Sequence, residues 1–188
     1  MRSEAVFTRP RPDCPNPQWW HAPDANATEA EVTELVAAMV RALQPEFVLE
    51  TGTHAGTTAE AIGQALAANG HGWLVSLELD PAKASAAAER LAAAGLPVTV
   101  VAGDSRSYVP DRPIDFAWFD SSIEARVPEY ERILPYFSPR AVVMFHDTGP
   151  HHDLRRRLVM VESLNVVYLP TPRGVAIGQP RPEGGSRD

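Results

Sequence analysis

A single cysteine, Cys14, leaves the 188-residue chain without an internal disulfide or a cysteine-based zinc site. No apolar run approaches the roughly 18 residues of a membrane-spanning helix. The formal net charge is −7 and no long basic run offsets it, so strong nonspecific nucleic-acid binding is not expected. Residues 1–5 lack the apolar core of a secretion signal. Internal repeats and an interdomain linker are missing too. Together these absences predict one soluble, cytoplasmic domain with no nucleic-acid or membrane partner. A hydrophobic content of 44% gives it enough apolar residues for a real core.

The alternation of apolar runs and helical patterns predicts the fold. Prolines at 10, 12, 15, 17 and 23 mark residues 1–23 as an arm without a regular helix or central strand. Its Trp19-Trp20-His21 either packs onto the domain or covers a substrate as a lid. Thr28 to Leu43 reads as an amphipathic helix, with Thr28 and Glu31 as a capping box. Strands are expected at Phe47–Leu49, Trp73–Leu79, Leu96–Ala102, Ile114–Phe119 and Ala141–Phe145. Between and after them, helices are expected at about Ala59–Leu66, Ala82–Ala94, Pro128–Leu134 and Asp153–Leu164. Val166–Leu169 and Val175–Ile177 form a closing hairpin. The implied fold is α/β: a mostly parallel, seven-stranded, Rossmann-like sheet with helices on both faces. It occupies residues 24–179, and 180–188 reads as a disordered tail.

Ligands in such sheets bind at the carboxyl ends of the strands. Here Glu50, Glu78, Asp104, Asp120 and Asp147 all fall at those ends. Glu50-Thr51-Gly52-Thr53-His54-Ala55-Gly56 is a glycine loop between strand and helix, but it is not the G-x-G-x-x-G of dinucleotide folds. An acid at the strand end repels a pyrophosphate and favours a cationic ligand, so S-adenosylmethionine suits the loop better than NAD. Glu78 is placed to accept ribose hydroxyls, and Asp80 before Pro81 to cap a helix. Asp104 and Ser105 meet either an adenine edge or only their own turn. Asp120 and Asp147 end adjacent strands, where two close carboxylates share a proton or bind a cation. A divalent ion such as Mg²⁺, with Thr148 adding an oxygen, is one resolution. The other is that one Asp touches the cofactor while its partner caps a loop. His146, His151 and His152 crowd this end, and His146 or His151 is the expected general base. Arg155-Arg156-Arg157 reads as a solvated face or an anion handle.

These residues resemble the class I S-adenosylmethionine-dependent methyltransferases, and among them the cation-dependent small-molecule O-methyltransferases. The resemblance spans about Ala22 to Ile177. It implies that Gly52 and His54 line the methionine part of the cofactor and that Thr58 meets its carboxylate. It also implies that Glu78 holds the ribose, with Leu79, Ser105 and Arg106 around the adenine, and that Asp120 and Asp147 hold the metal. Ala22-Pro23-Asp24 matches the segment that edges the cofactor pocket. Three departures stand out: Thr148 replaces the usual asparagine, no lysine follows Asp120, and little room exists for a substrate-recognition insertion. The resemblance implies methylation of a phenol, catechol or sugar hydroxyl. Metal-independent N- or O-methylation and a non-catalytic binding role are the alternatives, and a homodimer is possible on either reading.

Overall fold

The structure, a computed structural model, describes residue 7 and residues 9–181. A seven-stranded sheet runs in the order β3-β2-β1-β4-β5-β7-β6. Its strands are β1 Phe47–Thr51, β2 Trp73–Glu78, β3 Val98–Ala102, β4 Ile114–Phe119, β5 Phe137–His146, β6 Leu164–Leu169 and β7 Val175–Pro180. β1 to β5 pair in parallel, while β7 runs antiparallel to both β5 and β6. β1 and β4 are buried at every position, as central parallel strands covered on both faces must be.

Strand alternation divides the core into two layers. Val48, Leu74, Phe116, Trp118 and Met144 face α1 (Ala30–Leu43), α2 (Thr57–Asn69) and α3 (Pro81–Ala93), meeting Val36, Ile62 and Leu91. Leu49, Leu77, Phe119 and Phe145 face α4 (Ile123–Ile133) and α5 (Leu154–Val159), meeting Tyr130 and Leu158. There Phe119 and Phe145 stack at 4.6 Å, with Tyr130 edge-on to both.

Several local expectations give way to tertiary contacts. The capping box does not form, because Thr28 Oγ1 donates to Asp120 Oδ2 (2.6 Å) and Glu31 pairs with His21. α4 starts at Ile123, five residues before the predicted helix start, and carries Pro128 inside it. Proline cannot donate to the Glu124 carbonyl one turn back. Arg157 of α5 donates to it instead at 3.1 Å, and to the Ile123 carbonyl at 3.2 Å. α5 stops at Val159, short of the predicted Leu164, which already begins β6.

The proline-rich arm is part of the domain. Arg11, Cys14 and Ala22 are buried, and Arg11 donates to the Leu169 carbonyl at 3.1 Å. Pro17–Trp19 forms one 3₁₀ turn, which leaves Trp19 exposed while Trp20 packs on the core. Neither tryptophan lines the cleft described below, so the lid arrangement is not formed. At the other end Pro180 closes β7 and Arg181 N–H bonds the Ser163 carbonyl. The rest of the expected tail, 182–188, lies outside the described residues. No described helix is long and apolar enough to cross a membrane.

Candidate active site

A cleft of about 300 Å³ opens at the carboxyl ends of β1, β2 and β4, where strand order reverses about β1. Gly52 makes its floor possible. Its φ is +87°, and a Cβ there would lie 2.4 Å from the Asp120 carbonyl oxygen. The N–H groups of Gly52 and Thr53 both donate to the Leu77 carbonyl, at 2.8 and 3.2 Å. His54 N–H donates to Glu78 Oε2 at 2.7 Å, and Asp80 N–H to Glu78 Oε1 at 3.0 Å. The Glu78 carboxylate is thereby aimed at the rim, with lone pairs left for a ligand's hydroxyls. α2 begins without a side-chain cap, and Thr57 and Thr58 line the cleft. The helix thus turns free N–H groups and its positive end toward a ligand carboxylate. Glu50 lies behind this floor at 1% exposure, bonded by Ser76 Oγ. Burial pushes its carboxyl up to about 8 against the Ser76 hydrogen bond, and the Asp120 and Glu78 charges push the same way.

The β4 and β5 ends build the other wall from side chains. Arg126, in the first turn of α4, places Nη2 2.9 Å from Asp120 Oδ1 and 3.0 Å from Asp147 Oδ2. Its remaining N–H groups go to the carbonyls of Ser121 and His146. Asp147 itself has a left-handed φ of 55°, a conformation aspartate tolerates better than most residues. Next to it, Thr148 N–H bonds the Gly174 carbonyl (3.1 Å) and Gly149 N–H bonds that of Arg173 (2.8 Å). A Cβ on Gly174 would lie 2.3 Å from the Gly149 nitrogen. This backbone contact brings Arg173 to the site, with Nε 2.7 Å from Asp147 Oδ1 but off the N–H axis, so the contact is ionic without a directed hydrogen bond. Deeper still, Glu129 accepts from Thr51 (2.9 Å), Ser121 (2.8 Å) and Ser105 and ties α4 to the loops.

His146 is fully buried. Its Nδ1 is 3.1 Å from Asp120 Oδ1 and its Nε2 2.6 Å from Glu29 Oε2. Burial alone would depress its pKa, but Asp120, Asp147 and Glu29 outweigh burial and push it up to about 10. Burial would likewise raise Asp147, yet His146, Arg126 and Arg173 hold it well below the usual carboxylate range. Asp120, His146 and Asp147 bring donor atoms within 4.8 Å of one another, a spacing an ion could use. The arrangement does not fit one, because the Arg126 guanidinium already lies between the two carboxylates and both ring nitrogens of His146 face carboxylates. Thr148 Oγ1 is buried with no hydrogen-bond partner among the described residues.

Residues 49–148, more than half of the chain, match the model of the methyltransferase domain. The chain belongs to that methyltransferase family. No curated protein matches it in sequence. In fold, the methyltransferase is similar to the SAH-bound methyltransferase PaMTH1 of Podospora anserina (17% identity, TM-score 0.75, 86% of this chain and 83% of that one). It is similar too to the O-methyltransferase TomG of Streptomyces achromogenes, in complex with SAM (24%, 0.70, 85% and 83%). A third such structure is the O-methyltransferase from Bacillus cereus in complex with SAH (16%, 0.73, 84% and 84%).

Of the residues expected from the sequence, Gly52, His54, Thr58, Glu78, Asp120 and Asp147 line the methyltransferase's cleft. Others do not. Gly56 turns toward α3, where an added Cβ would meet Arg90 Nη2 at 3.0 Å, so this glycine serves helix packing. Leu79 is 71% exposed, outside the cleft walls. Asp104 caps the turn Ser105–Ser107 and pairs with exposed Arg106, which pulls its carboxyl down to about 2. Ser105 is spent on Glu129. His151 bonds the Pro10 carbonyl at 3.3 Å, away from the cleft, and His146 has both nitrogens on carboxylates, so neither is arranged as a general base. His152 has Nε2 3.7 Å from Asp147 Oδ1 without lining the cleft. The arginine run divides: Arg155 lies over Tyr168 and Arg157 holds α4, while Arg156 is solvated beside Asp153. Pro23 does not edge the cleft; Asp24 instead accepts from the N–H groups of Asn26 and Ala27, and it is Asn26, Ala27 and Thr28 that do. Sequence reasoning missed Thr28 as a site residue, and also Glu29, Arg126, Glu129 and Arg173. Only helical spacing from a correctly placed α4 start would have put Arg126 and Glu129 on its inner face.

Proposed function

We propose that this methyltransferase uses S-adenosylmethionine to methylate a hydroxyl of a small molecule held between Gly52 and Arg173. The arrangement of Glu78, fixed by two backbone N–H groups at the rim of a cleft that also holds the open start of α2, supports this most. Ribose hydroxyls suit the first feature and an amino-acid carboxylate the second. When bound, S-adenosylmethionine supplies a methyl group on a sulfonium, transferable to an oxygen by in-line displacement. The O–C bond forms as the C–S bond breaks, the hydroxyl proton leaves to solvent, and S-adenosylhomocysteine remains.

The chain's part is mostly positioning. Gly52 lets the β1 and β4 loops close against each other, which narrows the cleft. Asp120 and Asp147 are fixed by Thr28, Arg126 and Arg173. Arg173, at the rim with one face toward the cleft, is placed to meet charge developing on the acceptor oxygen. A phenol, catechol or sugar hydroxyl is the proposed acceptor class. Isothermal titration with S-adenosylhomocysteine is expected to give one site. Methyl transfer to a panel of phenols, sugars and amines should then favour oxygen. Absence of binding would reject the proposal, and turnover confined to amines would replace the acceptor.

A further inference from the structure

We propose that the guanidinium of Arg126 takes the place of a divalent cation between Asp120 and Asp147, so that the site works without a metal. This inference rests on the methyl-transfer reading of the cleft. Two carboxylates at the ends of adjacent strands repel each other unless something positive lies between them. Here that positive group is built into the chain. Arg126 Nη2 is 2.9 Å from one carboxylate and 3.0 Å from the other. The side chain is buried, and every nitrogen has a partner: Nε and Nη2 bond the Ser121 carbonyl at 2.9 and 2.7 Å, and Nη1 bonds that of His146.

Charge and position both argue against an added ion. Arg126 and Arg173 balance Asp120 and Asp147 one for one, and a guanidinium keeps its charge at any accessible pH. A divalent ion would leave this group of four with two excess positive charges in a mostly buried site. It would also have to displace Arg126, stranding a buried cation and its hydrogen bonds. The segment from Asp120 to Ser122 leads directly into α4, so Arg126 lies on the first inward-facing turn after the carboxylate it neutralises. A short tether of this kind fixes it more rigidly than a long surface side chain. Arg126 is therefore a positioning residue: it holds both aspartates, and through them Thr28 and Arg173, in the geometry that an ion would otherwise impose.

The test uses the full chain and Mn²⁺ as the probe. Wild-type protein, titrated with Mn²⁺ and followed by electron paramagnetic resonance, is expected to show no saturable bound ion. Its melting temperature should not move with Mg²⁺, and turnover should be unchanged by EDTA. Arg126→Ala removes the internal cation and leaves the paired carboxylates. It is expected to melt lower, to bind one Mn²⁺, and to regain melting temperature when Mn²⁺ is added, which a merely structural arginine would not predict. One saturable Mn²⁺ on the wild type, abolished by Asp147→Asn, would overturn the proposal. So would a folded Arg126→Ala that takes up no ion. If Arg126→Ala does not fold, the wild-type titration decides by itself. S-adenosylhomocysteine binding is measured on the same samples. Its loss would reject the methyl-transfer reading, whereas its presence beside a wild-type Mn²⁺ site would reject only the role given to Arg126.

Discussion

The two walls of the cleft are made in different ways. The wall at the ends of β1 and β2 is backbone: a glycine at positive φ, N–H groups paired to Leu77 and Glu78, and the open start of a helix. The wall at the ends of β4 and β5 is a network of charged side chains. Glu29, Asp120, Arg126, His146, Asp147 and Arg173 come from five separate places along the chain and neutralise one another. A backbone wall needs particular residues at fixed local spacing. A charged wall needs only that the fold bring opposite signs together.

Breaking the backbone wall should have the largest effect. Gly52→Ala puts a Cβ 2.4 Å from the Asp120 carbonyl oxygen and 2.8 Å from the Ser121 nitrogen, at a φ of +87° that alanine rarely adopts. Backbone cannot give way as a flexible side chain would. The expected outcome is loss of S-adenosylhomocysteine binding by calorimetry together with a fall in stability of about 3 kcal/mol or more in urea unfolding. A variant that binds normally would mean that the two loops are not in contact.

The charged wall should break differently. Glu29→Ala removes the carboxylate on His146 Nε2 and leaves a fully buried imidazolium partly unpaired. It also removes the acceptor for the Arg173 N–H, 3.1 Å from Glu29 Oε1. Breaking a buried pair costs about 3–5 kcal/mol, and Asp120, still 3.1 Å from His146 Nδ1, puts this case toward the lower end. Thermal and urea melts should show the loss, while S-adenosylhomocysteine affinity changes little. Equal loss of affinity would show that the walls are one unit.

Glu78→Ala sharpens the contrast from the other side. Glu78 is a side chain that holds the backbone wall, accepting from His54 and Asp80. Charge-assisted hydrogen bonds contribute about 1.5–3 kcal/mol each, so losing even one to a ribose hydroxyl should weaken S-adenosylhomocysteine binding by roughly ten- to a hundred-fold. Stability should fall less than in Glu29→Ala, because Glu78 lies at the rim, where water can replace its bonds. Unchanged affinity would take the ribose away from Glu78.

The same contrast explains what could be read from the sequence. The succession of strands and helices, the β4 limits and the Gly52 and Glu78 positions follow from apolar runs and local spacing, which tertiary context did not override. The roles of Asp120 and Asp147 are half legible: their meeting, and a cation as one way to settle it, follow from adjacent strand ends, but not that the positive group between them is Arg126. Arg126 went unseen because Pro128 suggested a helix start, whereas Arg157 supplies the hydrogen bond that an internal proline forfeits. The Thr28 and Glu31 pattern matched a capping box because the residue types are the same. Their partners, Asp120 and His21, are set by the fold alone. Pairing over long sequence separation, as between Glu29 and His146, has no local signal.

The effect that depends most on pH is expected at Glu50, which lies between the two walls and feels the charges of both Asp120 and Glu78. In the unfolded chain its carboxyl titrates near the ordinary 4.5, and in the folded chain near 8. Between those values the folded state binds more protons than the unfolded state, so the contribution of Glu50 to stability falls as pH rises through this window and levels off above it. Glu50→Gln keeps an acceptor for Ser76 and cannot ionise. Its stability relative to wild type should therefore climb from pH 4.5 to pH 8 and stay flat beyond, by about 5 kcal/mol at most across the whole window. Urea melts at several pH values measure this directly. A difference that does not change with pH would mean that Glu50 ionises normally behind Gly52. The floor of the cleft would then carry a charge in the free protein, and the two walls would be coupled through it.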